Sequence, residues 1–151
     1  MKTLFRKAVF IVTYRINPKT KPKKIEYLIL KRKLHWIGWE FPKGGVEKGE
    51  NLKSAVKRET FEETGNRALK IKQFNISGKY KYHKKFSDRP SFIGQTYHLF
   101  SAEVKGSKVK IDKREHSDYK WLPFSKAAKI LKHNNQKKCL RVVNKSLGIK
   151  Q

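Results

Sequence analysis

Acid, cysteine and methionine are all scarce in this chain. Of 151 residues one is Cys, one is Met and twelve are Asp or Glu, against 38 Lys or Arg, so the formal net charge is +26. The single cysteine, Cys139, excludes an internal disulfide and any cysteine-rich zinc site. No apolar run is long enough to span a bilayer. The stretch MKTLFRKAVFIVTYR carries cations at Lys2, Arg6 and Lys7 before an apolar run from Ala8 to Val12. That run is short and lacks a small-residue cleavage site, so it reads as a buried strand rather than a secretion signal. One compact domain over residues 1–151, in the cytoplasm and without a membrane partner, is the expectation.

The basic excess is mostly lysine, since only eight of the 38 cations are Arg. Lys is a solvated point charge, whereas forked phosphate recognition favours Arg. The surface therefore reads equally as a polyanion-binding face and as the solvated exterior of a lysine-rich protein. Under both readings the field draws in phosphate-rich molecules.

Against this background the placement of the few acids is informative. Five of the twelve, Glu47, Glu50, Glu59, Glu62 and Glu63, fall between positions 47 and 63, in GGVEKGENLKSAVKRETFEETG. Asn51 is a good N-cap, Leu52, Ala55 and Val56 recur at helical spacing, and Gly65 supplies a left-handed stop, which predicts a helix between Asn51 and Gly65. On that helix Glu59 and Glu63 project on the same side as the apolar residues, with Glu62 on the flank. Like charges three and four apart cost a few tenths of a kcal/mol per pair, and more when desolvated. A solvated acidic face would not coincide with the buried side of the helix; a cation site accounts for the coincidence. Several hard oxygen donors suit Mg²⁺ or Mn²⁺. Zinc is disfavoured because neither Cys nor His lies at ligand spacing near the cluster, the histidines at 35, 83, 98, 116 and 133 being dispersed.

The rest of the chain reads as α/β. Phe5 to Tyr14 and Ile25 to Lys31 are strands joined by a Pro-rich loop and predict an antiparallel pair. Residues 36–41 form a short strand leading into a shaped loop at Pro42-Lys43-Gly44-Gly45. Leu69 to Phe74 and Ser77 to Tyr82 read as strand, or strand and bend; Gln95 to Val104 and Tyr119 to Leu122 are strands; helices follow near 124–131 and over Gln136 to Leu147.

Gly44, Glu50, Arg58-Glu59, Glu62-Glu63 and Gly65 stand in the register of the Nudix box, G-x5-E-x7-R-E-U-x-E-E-x-G-U with U apolar, and on these residues the chain resembles the Nudix hydrolases. Thr60 and Asn66 depart from the apolar positions. The resemblance implies a mixed sheet between helices, with the box as loop-helix-loop, and Mg²⁺- or Mn²⁺-dependent cleavage of a phosphoanhydride. It makes Glu59 and Glu63 the principal metal ligands and gives Glu62 ligation or a proton-accepting role. The Lys43 carbonyl would complete the metal shell, and Arg58 would orient carboxylates, Glu50 among them. Such cleavage needs charge neutralisation on the bridging oxygens and an activated water, which divalent cations supply.

FPKGGVEKGE at 41–50, RETFEETG at 58–65 and EHSDYKWL at 115–122 together resemble the asymmetric diadenosine tetraphosphate hydrolases. That likeness implies cleavage to ATP and AMP, with Glu115 as a metal ligand or base. It also implies Tyr82 as a substrate contact, Lys43 and Lys81 near phosphate, and weaker roles for His35 and Tyr119. In KYKYHKK at 79–85, Lys79, Lys81 and His83 share one face of a strand, and Tyr80 and Tyr82 share the other, where they either meet substrate or pack in the core. WEFPKGG is also similar to Nudix enzymes acting on RNA 5′ ends, which the charge makes a second substrate reading. A Nudix-fold module that binds nucleic acid without catalysis is the third, and it leaves the acidic cluster without a purpose.

Overall fold

The computed structural model describes residues 4–82, 84 and 86–148. They form, in chain order, β1 (Phe5–Asn17), β2 (Lys24–Arg32), β3 (Gly38–Glu40), β4 (Lys43–Gly45), α1 (Leu52–Thr64), β5 (Leu69–Lys81), β6 (Gly94–Glu103), β7 (His116–Leu122), α2 (Phe124–Ile130) and α3 (Asn134–Ser146). The strands make one mixed sheet in the order β3-β2-β1-β6-β5, with β4 paired to β1 and β7 to β2.

The apolar run in β1 is continuous because both of its faces are covered, as expected of a central strand. Phe10, Val12 and Tyr14 point to one side, into a core shared with Leu99 of β6, Ala127 of α2, and Cys139, Leu140 and Val143 of α3. Val9 and Ile11 point to the other, against Ala55 and Val56 of α1. At ~1.5–3 kcal/mol for each fully buried large apolar side chain, the first layer fixes α2 and α3 on one face of the sheet and the second fixes α1 on the other. The expected sheet between helices is thus the observed architecture.

Along one edge β1 pairs in parallel with β6, from Phe5↔Gly94 to Tyr14↔Glu103. Its opposite edge is divided. The C-terminal part pairs antiparallel with β2, as the loop at 17–22 predicted, while Ala8 to Phe10 pair with β4. The residues read as a shaped loop at 42–45 are therefore partly a short strand. Glycine is needed there for space rather than for an unusual torsion: a Cβ on Gly44 would land on the Glu59 carboxylate, and one on Gly45 on the Arg6 guanidinium. The segments at 69–74 and 77–82 join as one edge strand that ends at Lys81 and whose register slips twice, between Leu69 and Lys72 and between Gln73 and Ser77. β7 begins three residues earlier than Tyr119, at His116.

Helix α1 is bounded as its sequence predicts. The Ser54 N–H donates to Asn51 Oδ1 at 2.8 Å, and Gly65 closes the helix with φ 73°. Thr60 is fully buried, and Thr64 returns its hydroxyl to the Thr60 carbonyl at 2.6 Å. Asn66 replaces apolar packing with polar ties, its amide donating to the carbonyls of Thr64 and Lys108 at 3.1 and 2.9 Å.

Candidate active site

Four of the five acids of the cluster meet at one guanidinium, three of them by hydrogen bonds and Glu47 by an ion pair at 3.7 Å. Arg58 Nε and Nη2 donate to both oxygens of Glu50 at 2.9 and 2.8 Å, and Nη1 donates to Glu59 at 2.8 Å and Glu62 at 3.2 Å. A fifth bond runs from Nη2 to the Gly45 carbonyl at 2.7 Å. These bonds hold Glu50 down to about 2, the Arg58 hydrogen bond being the main cause. With its donors engaged on carboxylates and backbone, Arg58 sits as a hub behind the cluster.

Burial acts oppositely on the two carboxylates that face inward. Glu59 is pushed up to about 7 by desolvation, which outweighs its bond to Arg58, with the charges of Glu62 and Glu115 adding to the rise. Glu63, 3 % exposed, is raised well above the ordinary carboxylate range by burial and then by Glu115. Glu59, Glu62, Glu63 and Glu115 line one cavity of about 130 Å³ together with Asp112 and Arg114. Glu115 reaches it from the loop before β7, where its carbonyl accepts the Lys33 N–H at 2.8 Å.

One histidine enters the cluster that linear spacing placed far from it. His116 is fully buried, with Nε2 2.9 Å from Glu40 Oε2 and Nδ1 3.3 Å from Glu63 Oε2. Ligand atoms of Glu63, Glu115 and His116 lie within 4.8 Å of one another. The premise that no histidine is near the acids thus fails in three dimensions, although its signal was present in the sequence as the neighbour of Glu115. The preference for a hard cation rests instead on the number of carboxylates. The site fits such an ion: Glu63 Oε2 is buried and its 3.3 Å contact with His116 Nδ1 is not a hydrogen bond, while burial and crowding oppose the ionised forms of Glu59 and Glu63, a cost that a divalent charge removes.

Glu40 was not anticipated either. It is completely buried and, although burial alone would raise it, Lys43, the His116 hydrogen bond and Arg32 hold it down to about 2. Arg32 Nη1 lies 3.1 Å and Lys43 Nζ 3.6 Å from it. Arg6, Arg32, Lys43 and Arg89 gather around a small cavity that shares Glu59 and Glu115 with the carboxylate cavity. Burial lowers both Arg6 and Lys43.

Beyond the cations lies an aromatic cavity of about 170 Å³, which shares Arg32 and Arg89 with the basic one. Its walls include His35, Trp36, Tyr80, Lys81, Tyr82 and Phe86. The His35 ring stacks on Phe86 at 4.1 Å, and its Nε2 pairs with Asp88 at 3.0 Å. Tyr82 Oη donates to Gln95 Oε1 at 3.1 Å, and Gln95 Nε2 donates to Tyr80 Oη at 2.9 Å, so both rings are tethered at the wall. Lys79 and Lys81 occupy the exposed face of β5 and Tyr80 the covered one, as the alternation predicted; His83 lies outside the described residues.

Nine of the ten candidate residues, from His35 and Lys43 to Glu115, thus line linked cavities or, as Arg58 does, hold those that do. Tyr119 is not among them. It packs with Ile111 and Trp121 on the Leu28, Leu30 and Val109 cluster. The groove over Phe74–Ser77 and His98, though larger at about 440 Å³, contains none of the acids.

The family model for the NUDIX domain matches residues 4–143. The chain belongs to the Nudix family. Among relatives of this Nudix hydrolase, an RNA pyrophosphohydrolase of a Nitratiruptor species is 35% identical over 108 residues, 68% of this chain and 70% of that protein. The asymmetrical bis(5'-nucleosyl)-tetraphosphatase of Mus musculus is 32% identical over 125 residues, 82% of each. A solved C. elegans Ap4A hydrolase binary complex superposes with a TM-score of 0.74 at 26% identity, covering 95% of this chain and 98% of that one. The Nudix box is the α1 segment with its flanking loops, and the chain is a pyrophosphohydrolase of that family whose relatives divide between dinucleotide and RNA substrates.

Proposed function

We propose that this Nudix domain hydrolyses a phosphoanhydride of a dinucleoside polyphosphate, converting diadenosine tetraphosphate to ATP and AMP. The observation that carries the reading is the joining of three cavities through shared walls: carboxylates, then cations, then aromatic rings. That order matches a scissile phosphate, a phosphate chain and a base.

Glu59 and Glu63 would hold the divalent cation, Mg²⁺ or Mn²⁺, with Glu62 and the Lys43 carbonyl completing its surroundings. When bound, it supplies neutralisation of the phosphate oxygens. Arg58 keeps the carboxylates apart and aimed, since its bonds to Glu50, Glu59, Glu62 and the Gly45 carbonyl leave it no donor for substrate. Lys43 and the arginines of the basic cavity bind the phosphate chain, while Tyr82, His35 and Lys81 orient the nucleoside at its end. Glu115 or Glu62 takes the proton from the attacking water as the new P–O bond forms and the bridging oxygen leaves on the other phosphate. The longer shared span with the tetraphosphatase, 82% against 68% for the RNA enzyme, favours the dinucleotide.

A panel of diadenosine tetraphosphate and 5′-triphosphorylated RNA at matched salt tests the reading. Turnover of the dinucleotide by the wild type, falling by orders of magnitude in Glu62→Gln and Glu63→Gln while circular dichroism is unchanged, is the expected result. Full activity in both variants refutes the site. A large preference for RNA refutes the substrate.

A further inference from the structure

On the other side of the carboxylates the surface carries an aromatic ring that the site described above does not use. Phe61 stands one residue before Glu62 on α1 and is 62 % exposed, where an amphipathic helix ordinarily shows water a polar side chain. It borders a depression of about 620 Å³ with Gly65, Lys110 and Ile111. That depression shares Glu62, Asp112 and Arg114 with the carboxylate cavity, so it continues the same track. The loop carrying Lys110 is held against the helix end by the Lys110 N–H, which donates to the Thr64 carbonyl at 2.9 Å.

We infer that the depression beside Phe61 seats the second nucleoside of a dinucleoside polyphosphate, the one released as the nucleoside monophosphate. The inference rests on the function proposed above and adds a substrate subsite to it. A molecule with a base at each end and phosphates between needs two platforms, and the track supplies them in the right order: aromatic cavity, cations, carboxylates, Phe61. The track is also lopsided. A cationic cavity separates the carboxylates from the aromatic cavity, whereas the Phe61 depression shares Glu62 and Asp112 with the carboxylate cavity itself, so most of the phosphate chain lies on the aromatic side. Cleavage at the carboxylates then leaves the triphosphate with the aromatic cavity and a single phosphate with Phe61, which accounts for asymmetric products. Lys110 and Arg114 give the otherwise acidic rim the positive charge that this departing phosphate needs, and the exposed ring offers a stacking surface worth about 1–3 kcal/mol per base.

Binding calorimetry with Mg²⁺ in the inactive Glu62→Gln background tests this without reference to turnover. Adding Phe61→Ala is expected to weaken diadenosine tetraphosphate about tenfold and to leave ATP within twofold, because ATP occupies only the aromatic and cationic part of the track. Phe61→Trp is expected to bind the dinucleotide as tightly as Phe61 does. In the active enzyme, Phe61→Ala raises KM for the dinucleotide with a smaller change in kcat. Equal weakening of both ligands, or of neither, overturns the subsite. Weakening confined to 5′-triphosphorylated RNA overturns it in favour of a transcript nucleotide. Failure of the wild type to cleave the dinucleotide at all would instead bring down the proposed function, and the subsite with it.

Discussion

Glu59 offers the sharpest test of the electrostatics. Its folded-state value of about 7, against an ordinary 4.5, means that the folded protein holds a proton there which the unfolded chain has released. Between these two pH values the unfolded state binds fewer protons, so stability falls as pH rises, and the full penalty is present above pH 7. At 1.36 kcal/mol per pH unit the shift corresponds to ~3 kcal/mol for a side chain this deeply buried. For a chain of this length, ~2–4 °C of Tm per kcal/mol makes the difference on the order of 10 °C. Thermal unfolding in EDTA at pH 4.5 and pH 8 should therefore show the wild type losing ground to Glu59→Gln by about that amount. The glutamine keeps an oxygen for Arg58 but has no charge to bury. Saturating Mg²⁺ at pH 8 should return most of the loss to the wild type and much less to the variant. Parallel Tm curves for the two proteins across the pH range would refute the desolvation argument.

Two further perturbations probe the geometry. Gly44→Ala places a methyl group on the Glu59 carboxylate, so kcat should fall at least about tenfold with far less loss of stability; undiminished activity would show that Glu59 has no required position. His116→Ala removes the 2.9 Å hydrogen bond to the buried Glu40 carboxylate and empties the space beside Glu63, a loss of about 1–3 kcal/mol by urea unfolding; a loss under ~0.5 kcal/mol would show that the contact contributes nothing.

Local chemistry made α1 legible. Asn51 and Gly65 bound the helix in sequence and in space, and the coincidence of Glu59 and Glu63 with Ala55 and Val56 on one side was readable from a 100° wheel because helices repeat every 3.6 residues. β1 was legible for a similar reason, a run buried on both faces. What escaped was set by strand pairing. Glu40 and His116 are 76 residues apart and meet because β3 and β7 both pair with β2. Arg6 meets the box only because β1 pairs with β4, and Arg32 joins it from the end of β2. Side-chain type and local period are written in the sequence; which of the 38 cations turns inward depends on register between distant strands.

Those inward cations give the excess charge a local meaning. A uniform basic surface attracts a polyphosphate but does not orient it. Here the cations nearest the carboxylates are divided between two tasks. Arg58 is consumed by Glu50, Glu59, Glu62 and the Gly45 carbonyl, so it stabilises the ionised cluster and has no free donor to compete for substrate. Arg6, Lys43 and Arg89 line a cavity together with Glu59 and Glu115, where Arg6 and Lys43 are deprived of water and so hold a charge that favours an anionic partner. The acids need a cation and the buried bases need an anion, and they adjoin through Glu59 and Glu115. A divalent ion bound together with a phosphate chain satisfies both at once, whereas either alone leaves one wall uncompensated. Metal and substrate should consequently bind with positive coupling, each tightening the other by the same factor. Calorimetric titration of Mn²⁺ into the Glu62→Gln protein, with and without saturating ATP, would measure that factor once the affinity of Mn²⁺ for free ATP is taken into account; a ratio of one would show that the two walls act independently.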